Sequence, residues 1–264
     1  MSGYILCQTK KAQRPYFIEN ISMNIYSIEE LCYYLYHNLY LADHTVFNEE
    51  LCSWLRDELG LEHLSAKLRQ NLERNADVEE MIYPLFKEIN YLTYEEMKGF
   101  NSRLAALGKE RLAVRMKRKG DALTENGMYV NAIQVYQKLL DRDDLNEQRK
   151  GFEASVLYTL GCAYSYLFQM EKAEECFLES YTKEHSPKAL QAYLFARKSI
   201  HKDTDYEKIM GELGAEEELK KEVKENISQS LKAFTDVPEK KIDGKDIDIV
   251  LESITKEYHR STGS

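Results

Sequence analysis

Four glutamate pairs, Glu29-Glu30, Glu49-Glu50, Glu79-Glu80 and Glu95-Glu96, are the residues here whose type and spacing could hold a metal or move a proton. A di-iron carboxylate bundle would also need Glu-x-x-His on its inward faces. None of the six histidines has a glutamate three residues before it. Each pair instead follows a residue suited to start a helix: Ser27, Asn48, Asp77 and Thr93. After Ser27, Asp77 and Thr93 a glutamate stands three positions on, the capping-box arrangement. Carboxylates in a first turn are also stabilised by the helix dipole. The pairs therefore read as helix starts, and no metal, cofactor or catalytic residue is assigned to them.

The other reactive side chains point the same way. Cys7, Cys32, Cys52, Cys162 and Cys176 contain no CxxC pair, and four of them sit inside apolar helical patterns, where a free thiol acts as a small hydrophobe. There is no Gly-rich phosphate loop, no GxSxG and no HExxH. An enzyme reading would need an unsignalled site in the N-terminal region around His37, His44 and Trp54. The basic cluster KERLAVRMKRK, Lys109–Lys119, places Arg111, Arg115, Arg118 and Lys119 on one helical face. That face is either a solvated surface or a dock for nucleic acid or an acidic ligand.

Bulk composition limits these options. A net charge of −9 disfavours general nucleic-acid affinity, which needs clustered cations. The 264 residues supply ample core, and 31% charged residues with four prolines and twelve glycines favour long helices. No stretch approaches ~20 apolar residues, and the first fifteen lack a secretory core. Unpaired cysteines fit a reducing compartment, so a cytoplasmic protein without membrane attachment is expected.

Residues 4–26 differ from the rest. Tyr4–Cys7, Pro15–Ile18 and the alternating Ile21, Met23 and Ile25 predict a small β element of two or three strands. Helical periodicity then begins, with helices expected at about 27–41, 47–59, 61–74 and 77–90, the last breaking or kinking at Pro84. A further helix from Thr93 should break near Gly99 or Gly108. Residues 1–107 thus form one region, stacked hairpins with the β element in front. His37 reads as a hydrogen-bonded interface residue.

The best-specified stretch is Ala154–Tyr181. Leu157, Leu160, Gly161, Tyr164, Ala173, Phe177 and Ser180 stand at the spacings of a two-helix repeat. An upstream unit has Met116, Gly120, Leu123, Gly127, Tyr129, Ala132, Tyr136 and Leu139 in the same scheme. Small residues at Gly120/Gly161 and Ala132/Ala173 permit close helix approach, and Tyr136 and Phe177 fill the space beside them. This pattern resembles the tetratricopeptide repeat. The two units are 41 residues apart, against the usual about 34, so the surplus near Asp141–Lys150 is an extended helix or a longer loop. A weaker third unit begins at Ser186-Pro187, with its second helix near Tyr206–Leu213. The resemblance covers about 115–213 and defines a region at 108–213.

The resemblance implies a mainly α fold, a right-handed solenoid of hairpins whose first helices line a concave groove for a protein or peptide partner. Facing that groove would be Lys117, Asp121 and Thr124, then Ser155, Tyr158, Cys162 and Tyr166, then Tyr193 and Arg197. Tyr158 and Tyr166 are peptide anchors or pack on a neighbouring hairpin. The subclass that grips chaperone C-termini is not carried over, because Asp121 and Thr159 stand where it offers amides. Residues 214–264 follow as a capping helix with Leu219, Val223, Ile227, Leu231 and Phe234 on one face, a linker at Asp236–Lys245, and a final helix at about 246–259. That last helix would dock on the array or reach another chain, and the oligomeric state stays open, a homodimer included. The expected function is an intracellular interaction adaptor.

Overall fold

The computed structural model describes residues 9–147, 150–201, 205–235, 251, 252 and 255. The chain divides into two compact units, Met1–Tyr206 and Glu207–Ser264. In the first, β1 (Tyr16–Ile18) and β2 (Met23–Ile25) pair antiparallel, Tyr16 opposite Ile25 and Ile18 opposite Met23. Ser22, at φ 50°, ends the helical turn Glu19–Ile21 that reverses the chain. Tyr16, Ile18 and Ile25 are buried. The Tyr16 hydroxyl donates to the Val46 carbonyl at 2.8 Å, and the Trp54 indole donates to the Arg14 carbonyl at 2.9 Å. These bonds fasten the hairpin to the helices behind it. Tyr4–Cys7, expected as a strand, lies outside the described residues. Ile21 belongs to the turn and Met23 is exposed, so the expected shared face with Ile25 does not form.

Five helices follow: α1 (Ile28–His37), α2 (Glu49–Asp57), α3 (Glu62–Glu73), α4 (Val78–Glu88) and α5 (Tyr94–Lys109). The Ser27 side chain accepts from the Glu30 amide, and the Asn48 side chain accepts from that of Leu51. Thr93 and Glu96 form a reciprocal capping box. Asp77 makes no side-chain cap bond. Among the described residues no group of three or more His, Cys, Asp or Glu is placed to hold a metal ion. α2 packs on α3, α3 on α4, and α4 on both α1 and α5.

Two helices differ from expectation, and a third ends at one of its two expected places. α1 stops at His37 instead of Leu41, because Asn38 leaves helical geometry; its backbone and side-chain N–H groups both donate to the Tyr34 carbonyl. The chain then makes a tight turn over Leu39–Leu41. α4 runs unbroken past Pro84. Proline leaves the carbonyl four residues earlier, that of Glu80, without its helical donor, and the Asn71 side chain from α3 supplies one at 2.7 Å. α5 continues through Gly99 and ends just beyond Gly108.

The repeat array consists of α6 (Leu112–Glu125), α7 (Tyr129–Leu140), α8 (Phe152–Tyr166), α9 (Met170–Glu184) and α10 (Pro187–Ile200). Each packs on its sequence neighbour from α6 to α10, and the first helices α6 and α8 also touch. A Cβ added to Gly120 would stand 2.4 Å from the Tyr136 ring, and one added to Gly161 would stand 2.6 Å from the Phe177 ring. Glycine is required there for contact, not for backbone freedom. Ala132 and Ala173 are fully buried. The Ser180 hydroxyl donates to the Ala154 carbonyl at 2.8 Å, tying α9 to α8. The surplus between hairpins does not extend α7, which ends at Leu140 and is followed by a short turn at Asp143–Glu147. The weaker third unit starts as expected at Ser186-Pro187: Pro187 occupies the first turn, and the Ser186 side chain makes no cap bond.

The Leu39–Leu41 turn lies against α6, and three polar contacts cross the junction. Lys119 pairs with Asp43 at 2.5 Å, Asn126 donates to Asn38 at 2.9 Å, and the Tyr40 hydroxyl donates to Glu110 at 3.2 Å.

α11 (Tyr206–Glu212) occupies the stretch expected as the third unit's second helix. In the second unit, α12 (Glu217–Thr235) buries Val223 and Ile227 and exposes Leu231. Lys220 pairs with Glu217 at 2.6 Å. The expected linker and nearly all of the final helix lie outside the described residues.

Candidate partner-binding face

On α8 the residues that hold the hairpin together and those left open separate by helical spacing. Leu157, Leu160, Gly161 and Tyr164 are buried, while Ser155, Tyr158 and Cys162 are half-buried and Tyr166 is 60% exposed. The Ser155 hydroxyl turns back to the Phe152 carbonyl at 2.7 Å. The Tyr158 ring leans on Phe177, centroids 5.6 Å apart. Burial pushes the Cys162 thiol up, away from the thiolate a nucleophile needs. Tyr166 stacks on Tyr129 of α7 at 4.5 Å, the two planes 7° apart. This pair bridges consecutive hairpins while leaving an aromatic face toward solvent.

On α6, Lys117 and Asp121 form an ion pair at 2.8 Å. Asp121 also accepts the Tyr136 hydroxyl at 2.7 Å, and the Thr124 hydroxyl lies 3.5 Å from the same oxygen. Sequence reasoning missed this link. The signal was available, because Tyr136 carries a hydroxyl where Phe177 has none, and a buried phenol requires a partner. Burial pushes the Tyr136 phenol far above its usual pKa. On α10, Tyr193 is buried and Arg197 pairs with Glu174 of α9 at 2.7 Å.

The basic cluster does not present one uniform face. Lys119 is engaged by Asp43. Arg118 lies over the Tyr40 ring at 5.3 Å and 3.4 Å from Glu110. Arg111 and Arg115 remain exposed. In the N-terminal region, His37 packs between Tyr33 and Tyr36, Trp54 donates to Arg14, and His44 is exposed. Among the described residues no hydrogen bond joins those three side chains.

Comparison with known proteins agrees with this architecture. The family model for the tetratricopeptide repeat matches residues 154–182, the α8–α9 hairpin. No curated protein and no solved structure gives a significant match. The α8–α9 hairpin is thus a TPR-like repeat, and the consecutive packing of the helices around it fits a TPR-like array, with a small two-stranded sheet ahead of it. Such repeats are protein-interaction modules and are typically non-catalytic. Among the described residues no helix is long and apolar enough to cross a membrane.

Proposed function

We propose that this protein is a cytoplasmic adaptor that holds an extended peptide or a partner helix against the first helices of its repeats. The observation that carries this reading is the open stripe Ser155–Tyr158–Cys162–Tyr166 on α8, a helix whose other faces are buried. Tyrosines give a peptide large contact area with few torsions to freeze. Lys117, Asp121 and Arg197 flank the stripe on α6 and α10. Each is held by an ion pair, so they offer fixed hydrogen-bonding edges and little net charge. The free cysteines Cys32, Cys52, Cys162 and Cys176 support a reducing compartment.

The test is retention of a partner from native lysate by the full chain and by a variant carrying Tyr158→Ala and Tyr166→Ala. Far-ultraviolet circular dichroism monitors the fold of both. Loss of a discrete partner with helicity intact is expected. Equal retention by both proteins would remove the stripe from the binding account.

A further inference from the structure

Among the described residues four tyrosine rings already carry a cation. Lys11 stands over Tyr26, Arg103 over Tyr36, Arg118 over Tyr40 and Lys172 over Tyr164, at 5.1 to 5.3 Å from the ring centroids. Tyr33 differs. Its ring is 60% exposed and touches His37 at 4.3 Å, and among the described residues no lysine or arginine stands over it.

Tyr33 lines a cavity of about 530 Å³, within the range of sites that enclose small groups. Its other walls come from Met23, Asn24 and Ile25 of β2, from Glu30, Tyr34 and His37 of α1, and from Asn38 and Asn126. Two of these walls are fixed. The Glu30 carboxylate accepts the Tyr26 backbone amide, and the Asn126 amide donates to Asn38. The lining holds one carboxylate and several aromatic faces, with no lysine or arginine.

We propose that this cavity receives an arginine or lysine side chain from a basic segment of a partner protein. The charged head sits against Glu30, and the stem or guanidinium plane lies along Tyr33, the arrangement that cation–π attraction favours. A chain of net charge −9 also draws a basic partner toward it. The site is built from β2, α1 and the end of α6, apart from the α8 stripe, so either can fail without the other.

The test titrates N-acetylarginine amide, N-acetylglutamate amide, spermidine and a nine-residue arginine-bearing peptide into the full-length protein, following the Met23 and Ile25 methyl resonances by NMR. The variants are Glu30→Gln, which keeps a carbonyl for the Tyr26 amide, and Tyr33→Leu. Saturable shifts with the arginine probe and the peptide, and none with the glutamate probe, are expected, with affinity for the arginine probe reduced about five-fold in each variant. Equal shifts with the glutamate probe, no shifts at all, or undiminished affinity in both variants would overturn the site. Tighter binding of spermidine than of a nine-residue arginine-bearing peptide would overturn its assignment to a protein partner.

Discussion

The Tyr136 hydroxyl donates a 2.7 Å hydrogen bond to Asp121, joining α7 to α6 inside the first hairpin. The same carboxylate holds Lys117 on the proposed binding face. The packing of the repeat and the electrostatics of its open surface therefore share one residue. Tyr136→Phe should destabilise the protein by about 1–2 kcal/mol, since it removes a hydrogen bond to a charged acceptor and leaves the ring in place. Urea unfolding of the two proteins checks this. An unchanged midpoint would show that water replaces the phenol without loss.

Gly161→Ala and Gly99→Ala should move stability in opposite directions. The new methyl at Gly161 meets the Phe177 ring at 2.6 Å, so overpacking of about 1–3 kcal/mol is expected. Gly99 lies inside α5 with nothing within 4 Å, so alanine there should gain up to about 1 kcal/mol of helix propensity. Thermal melts of both variants against the parent measure the contrast.

Asn71 and Pro84 should be energetically coupled. Asn71→Ala strips the donor from the Glu80 carbonyl that Pro84 leaves without a helical partner, at a cost of about 1–3 kcal/mol. In a Pro84→Ala background the helix supplies its own N–H, so the same substitution should cost less. A double-mutant cycle reads the coupling directly. Strict additivity would contradict it.

The Asp43–Lys119 contact gives the junction with α6 an acid-sensitive component. Burial acts to raise the Asp43 pKa, but the Lys119 ammonium and the Thr45 hydroxyl and amide together outweigh it and hold the carboxyl below its usual range. With the folded value depressed, the stabilisation is complete above the unfolded pKa, about 4, and is lost as pH falls through the folded value. Asp43→Asn should therefore lose about 1 kcal/mol at pH 7, and that deficit should be smaller at about pH 3, below the unfolded pKa. Urea midpoints at the two pH values check the convergence.

What the sequence revealed was governed by local geometry. Gly120, Gly161, Ala132 and Ala173 occupy positions where two backbones approach closely, so spacing alone exposed the hairpins. The starts of α1, α2 and α5 were legible because a capping side chain acts within its own first turn. The unbroken course of α4 was not, because the group that completes it, Asn71, belongs to another helix. The engagement of Lys119 by Asp43 and of Asn126 by Asn38 spans 76 and 88 residues and leaves no periodic trace. The stacking of Tyr166 on Tyr129 was open in the sequence as one of two alternatives, and only the packing of α7 on α8 brings the rings together.

The most direct test of the binding face is site-specific photo-crosslinking in cells, with a crosslinking amino acid placed at Tyr166 on α8 or at exposed Glu175 on α9. The account predicts a discrete protein adduct from position 166 and none from 175. Adducts of equal yield from both positions, or from 175 alone, would contradict it.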